Sequence, residues 1–183
     1  MTGRGGTAIA LLRGVNVGGR HKLPMKELAA IFESAGAQDV RTYIQSGNIV
    51  FTVAPSKVRA IASRVAAAIE ERFGFEVPVV TRTAKELASI VDANPYIAEG
   101  ADVSKLHVGF LADRPKASAR RKLDPEHSPP DRFELVGREL YLHCPNGVAG
   151  TKLTNAWFDR TLDTVTTVRN WKTTLRLLEM TRG

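Results

Sequence analysis

A single cysteine, Cys144, is the only thiol in the 183-residue chain. It excludes an internal disulfide and any metal site built from paired cysteines, and it fits a reducing cytoplasm. Long hydrophobic runs are missing as well. No stretch approaches the roughly 18 apolar residues of a membrane helix. The opening MTGRGGTAIALLRG lacks the apolar core of a secretion signal. A cytoplasmic protein with no membrane partner is expected. Histidines number only four, and none stands at metal-ligand spacing with a carboxylate, so neither a metal nor a cofactor is expected. Acidic residues are the scarcer sign: 19 Asp and Glu against 26 Lys and Arg, a net charge of +7. That excess favours anionic partners such as phosphates, nucleotides or nucleic acid. Hydrophobic residues at 43% and charged residues at 25% are ordinary globular values, so disorder is not the default reading.

Apolar runs and their punctuation divide what is present. Residues 7–12, TAIALL, read as a buried strand bounded by glycines. Pro24 suits the first position of a helix whose face is Leu28, Ile31, Phe32 and Ala35, with Gly36 as its stop. Residues 40–44 and Asn48–Val53 are strands around a Gln45-Ser46-Gly47 turn. A helix starting at Pro55 and Ser56 carries Val58, Ile61, Val65, Ile69 and Phe73 on one face and ends at Gly74. Residues 77–81 form a strand at an edge, because Pro78 cannot donate to a ladder. Strand, helix, strand, strand, helix, strand is the split βαββαβ, or ferredoxin-like, unit. That topology brings the loop after the first strand to the same sheet edge as the turn between the second and third. Residues 13–22 should therefore lie near Gln45, Ser46 and Asn48.

Thr83 and Glu86 form a capping box for the next helix, with Leu87, Ile90 and Val91 inward, and Asn94-Pro95 ends it. Leu106–Leu111 is a strand. Residues 113–131 are a proline-punctuated loop with a short basic helical piece at 117–122. Arg132–Val136 and Glu139–His143 make a hairpin around Gly137-Arg138. Residues 151–162 form an amphipathic helix through Leu153, Trp157 and Phe158, with Thr151 as its cap. A strand follows at 164–168, then a helix capped by Asn170 that carries Trp171, Leu175 and Leu178. The second half thus repeats the element order of the first. TRTAKELASIV also matches VRNWKTTLRLL, pairing Arg82 with Arg169 and Lys85 with Lys172. The expectation is an α+β protein of two ferredoxin-like modules, residues 1–97 and 98–183, with mainly antiparallel sheets in one compact body.

Chemistry concentrates in LLRGVNVGGRHK. Gly14 and Gly19 have the spacing of a phosphate loop, but Arg20-His21 replaces the Lys-Ser/Thr pair, and the helix starts too late. A looser anion site fits better. Gly14, Gly18 and Gly19 can turn backbone N–H groups towards a ligand while Arg13, Arg20 and Lys22 supply charge. Asn16, Gln45, Ser46 and Asn48 would orient the remainder. Lys152 and Asn155, with Arg169, Asn170 and Lys172, form a secondary polar cluster. RNA-recognition modules stack bases on exposed aromatics of their third strand. Asn48 and Val50 occupy those places here, so any nucleic-acid binding would use a diffuse basic face instead. Catalytic signals are thin. Cys144 reads as a small buried hydrophobe and His107 as a satisfied structural histidine. The partner expected first is a small anionic ligand, a nucleotide or phosphorylated metabolite; nucleic acid or a protein partner is the alternative.

The runs LLRGVNVGGRHKLPM, RTYIQSGNIVF, GTKLTNAWF and TTVRNWKTTLRLLEM resemble the bacterial domain-of-unknown-function family DUF1697. The resemblance implies two ferredoxin-like modules and brings no established activity. Members commonly carry other polar or basic residues at the positions of Arg20 and His21, and residues 1–6 lie outside the family pattern.

Overall fold

The computed structural model describes residues 5–183; of the amino-terminal extension, Met1 to Arg4 lie outside the described residues. The chain divides into two units, one running through Ser89 and including Leu177–Gly183, the other Ile90–Arg176.

In the first unit β1 (Gly6–Leu12), β2 (Gln38–Tyr43), β3 (Asn48–Val53) and β4 (Val79–Thr83) form a sheet ordered β2-β3-β1-β4. Every neighbouring pair is antiparallel. This is the strand order of the βαββαβ reading. Helices α1 (Met25–Ser34) and α2 (Val58–Phe73) are its two crossovers. Ala8, Ala10 and Leu12 of β1 alternate towards those helices with Ile49 and Phe51 of β3, against Leu28, Ile31 and Phe32 of α1 and Ile61, Val65 and Ile69 of α2. Each large side chain so placed contributes roughly 1.5–3 kcal/mol. Ile9, Leu11 and Val50, on the opposite face, are equally buried, which is why TAIALL is apolar throughout rather than alternating.

Several boundaries differ from the sequence expectation. Pro24 is the N-cap of α1, with extended backbone, rather than its first residue. A 3₁₀ turn at Pro55–Lys57 precedes α2, whose end at Gly74 is left-handed as expected. β2 runs from Gln38 to Tyr43 instead of 40–44, because Ile44 turns to φ 51° and begins the turn. The polar start of β2 carries a register shift between Gln38 and Arg41, a bulge of the kind that blunts an edge strand. β4 sits at the edge but two residues later than expected, and it includes the fully buried Arg82.

The Ile90–Arg176 unit contains β5 (Leu106–Leu111), β6 (Arg132–Val136), β7 (Glu139–His143) and β8 (Thr166–Asn170), ordered β6-β7-β5-β8 and again antiparallel throughout. Helix α3 (Ala84–Asp92) opens with the expected capping box. The Thr83 N–H donates to Glu86 Oε2 (2.7 Å) and the Glu86 N–H to Thr83 Oγ1 (3.2 Å). Asn94 then caps a single turn, α4 (Pro95–Ala98). The basic helical piece is only one turn, α5 (Ala117–Arg120). Helix α6 (Asn155–Leu162) is capped by Thr154, which accepts from the Trp157 N–H at 3.2 Å. Thr151 is not the cap; its hydroxyl bonds the Asp131 carboxylate instead. The last strand lies two residues beyond 164–168, and α7 (Trp171–Thr181) follows with Asn170 accepting from the Thr173 N–H at 2.8 Å. Arg82 and Arg169 are each the fourth residue of their strands, β4 and β8. The internal match therefore pairs structurally equivalent positions. No helix of the described residues is long and apolar enough to cross a membrane.

Candidate functional site

The end of β1 is held from both sides. The Leu12 N–H donates to Gly47 O (2.8 Å) and the Arg13 N–H to Pro78 O (3.1 Å). The 45–48 turn thus abuts the start of the 13–22 loop, as the topology requires. Gly47 makes that approach possible. A Cβ there would lie 2.7 Å from Leu12 Cβ and 2.8 Å from Val15 Cγ2, and φ is +77°.

Beyond Arg13 the chain folds into a miniature hairpin. Val17 and Arg20 form a bridge. The Arg20 N–H donates to Val17 O (3.0 Å) and the Asn16 N–H to His21 O (3.0 Å). Gly18 and Gly19, at φ 57° and 73°, are the two residues of its tip, where a two-residue loop with both φ positive matches the twist of the flanking segments. Gly18 and Gly19 therefore serve a tight turn, and two of the loop's N–H groups are engaged within it.

Asn16 fixes this hairpin to the rest of the unit. Its Oδ1 accepts from the Leu23 N–H (2.8 Å), while Nδ2 donates to Leu23 O (2.9 Å) and Gln45 O (2.8 Å). One carboxamide thereby joins the start of the loop, its end and the neighbouring turn. Asn48 is fully buried and donates through Nδ2 to Tyr43 O and Ser46 Oγ, each at 3.1 Å. Asn16, Ser46 and Asn48 consequently brace the corner. His21, at φ 49°, stacks on Phe75 with ring centroids 4.5 Å apart and places Nδ1 3.1 Å from Gly14 O. A carbonyl only accepts, so the proton sits on Nδ1.

Arg13 is half-buried, whereas Gly14, Gly18, Gly19, Arg20, Lys22 and Gln45 are exposed. Val17, which bridges to Arg20, and Ile44, at the start of the neighbouring turn, are 63% and 52% exposed. The corner can offer charge, an amide and two apolar side chains to a ligand from a rigid backbone.

The secondary candidates all fall in the Ile90–Arg176 unit. Lys152 and Lys172 are exposed. Asn155 opens α6 with a buried Oδ1 that has no hydrogen-bond partner. Arg169 is half-buried and bonds Val168 O at 3.0 Å, and desolvation pushes it down to about 10. Asn170 is the α7 cap. Sequence reasoning missed a polar knot beside Cys144. Asp131 Oδ2 accepts from Ser128 Oγ (2.9 Å) and Thr151 Oγ1 (2.6 Å), and Ser128 Oγ accepts from the Lys152 N–H (3.0 Å). Ser128 and Asp131 are both buried. Their sequence signal was a serine and an acid three residues apart across the Pro129-Pro130 pair. Cys144 is fully buried as expected, and burial, with the Asp131 carboxylate nearby, pushes its thiol up to about 11. His107 is satisfied only in part: its ring bonds the Lys105 backbone, its buried Nδ1 has no partner, and burial holds the ring below its ordinary value. Among the described residues no three His, Cys, Asp or Glu side chains converge as a metal site needs.

Comparison with known proteins adds fold and kinship. A family model described as "Protein of unknown function (DUF1697)" matches residues 6–141. The GTKLTNAWF and TTVRNWK runs lie beyond the matched span. No curated protein matches significantly. Among solved structures, a conserved bacterial protein, SP0830 from Streptococcus pneumoniae, superposes with a TM-score of 0.74 at 19% identity, over 98% of this chain and 99% of that one.

Proposed function

Because the chain belongs to the DUF1697 family, proteins of unknown function, its role has to be argued from its own corner geometry, and we propose that it binds a small anionic ligand there. The ligand is a nucleotide or phosphorylated metabolite. Arg20, Lys22 and Arg13 supply the charge, and Gln45 with the Gly14, Gly18 and Gly19 backbone supplies polar contacts. Asn16, Ser46 and Asn48 act by holding the frame. One observation carries the reading. Asn16 and His21, neither of them glycine, both hold positive φ (55° and 49°) in this loop, and the Asn16 carboxamide ties the loop's start, its end and the neighbouring turn together. Backbone held in sparsely populated conformations clusters at ligand sites. The net charge of +7 agrees with an anion. The lone, buried thiol supports a cytoplasmic setting.

A thermal-shift panel of nucleotides and phosphorylated metabolites tests it. At a hundredfold excess over Kd a ligand stabilises by about 2.7 kcal/mol, which for a chain of this size is roughly 5–10 °C. At least one compound should produce such a shift, and an Arg20→Ala/Lys22→Ala variant should lose it. An empty panel, or a shift the double variant retains, sinks the reading. A diffuse nucleic-acid face is the rival, resting on the same net charge. It would appear as affinity for mixed-sequence DNA or RNA that falls steeply with salt. A protein-interaction module is the other, supported by the exposed Val17 and Ile44.

A further inference from the structure

The exit of β5 in the Ile90–Arg176 unit repeats the exit of β1. The Leu111 N–H donates to Arg138 O (2.9 Å) and the Ala112 N–H to Val165 O (2.9 Å), the counterparts of Leu12 to Gly47 and Arg13 to Pro78. In both units the strand end is bonded to the hairpin turn on one side and to the approach of the edge strand on the other. The loops beyond those strand ends are unlike. After β5, residues 113–116, Ser118, Ala119 and Lys122, together with 160–164 at the end of α6, line a cavity of about 450 Å³. The Asp113 N–H donates to Thr164 Oγ1 (3.1 Å) and ties the two walls together.

Pro115, Ala119 and Leu162 are the buried members of the lining. The rest is polar and largely cationic. Arg114, Lys116, Lys122 and Arg160 face two acids, Asp113 and Asp163, so the lining carries a net +2. Among the described residues none of these four cationic side chains has a hydrogen-bond or carboxylate partner. Unpaired like charges gathered around one concavity repel, and an anion inside it relieves that repulsion. The volume is that of a small-ligand site, and the Ser118 and Thr161 hydroxyls can meet a ligand's polar groups.

We propose that this cavity is a second anion site, which takes a phosphomonoester of small-metabolite size. Its charge of about −1.5 to −2 at neutral pH complements the lining. The site is built from residues of the Ile90–Arg176 unit alone, and the proposal does not depend on the corner reading. Glycerol 3-phosphate titrated into the ¹⁵N-labelled full chain is the probe, with glycerol as the uncharged control. Saturable shifts at the amides of 113–122 and 160–164, with none from glycerol, are expected. Lys122→Gln/Arg160→Gln should weaken binding about tenfold or more, whereas Arg20→Gln/Lys22→Gln should leave it unchanged. All four side chains are exposed, and the unliganded melting temperature of each variant verifies folding. Shifts that never saturate, or binding that Lys122→Gln/Arg160→Gln leaves intact, overturn the proposal.

Discussion

Asn16 makes three side-chain hydrogen bonds from a left-handed backbone position at φ 55°. Alanine there loses all three and leaves the N–H of the fully buried Leu23 without its acceptor. It must also adopt a conformation that asparagine tolerates better. Two of the bonds are only partly buried and one is exposed, which limits the loss to about 2 kcal/mol. Urea denaturation of Asn16→Ala should show a lower midpoint with an unchanged slope. His107 gives a pH signature of its own. Burial holds its imidazole below the ordinary 6.5, so on acidification the unfolded chain takes up the proton first. Its contribution is complete above pH 6.5 and declines as pH falls below it towards the folded-state value. In His107→Leu that part of the decline should vanish, read from urea midpoints on either side of pH 6.5.

Among the elements, the entry to α6 separates two threonines that look alike in sequence. Thr154 is an ordinary N-cap with one bond to the Trp157 N–H, so Thr154→Ala should cost about 1 kcal/mol. Thr151 instead donates to the buried Asp131 carboxylate and accepts from the Leu153 N–H. Removing it strips a charge-assisted bond from a group that water hardly reaches, at roughly 2–3 kcal/mol. Thermal melts should rank Thr151→Ala below Thr154→Ala. Strand edges tell a similar story. β4 and β8 continue past their apolar residues through Arg82 and Arg169, positions that hydrophobic alternation assigns to a loop. β2 begins with the exposed Gln38 and Asp39 around a bulge, where no periodic burial marks a start. The Arg132–Val136 and Glu139–His143 hairpin has no such exception, and its limits agree with the sequence reading.

On the scale of the molecule, element order and strand neighbours were legible because periodicity, caps and glycine stops agreed with one another. The nearness of the 13–22 loop to the 45–48 turn followed from topology alone. The Asn16 brace did not, since nothing in the letters distinguishes an asparagine that contacts ligand from one that holds its own loop. The cavity beside α5 was illegible for a related reason. Arg114, Lys116 and Arg160 come together only when two segments some forty residues apart fold against each other. A signal did exist: residues 113–116 come after β5 as residues 13–22 come after β1. The repeated grip on the two strand ends has a last consequence. β1 and β5 are each anchored at their ends, but the loop after β1 is also tied back to its unit by Asn16 and by the buried Val15 and Leu23. One unit inserts a braced hairpin there and the other a short bend into a single helical turn. A graft at the β1 exit therefore has to keep Val15, Asn16 and Leu23 and exchange only the hairpin tip between them if the β-scaffold is to keep its register.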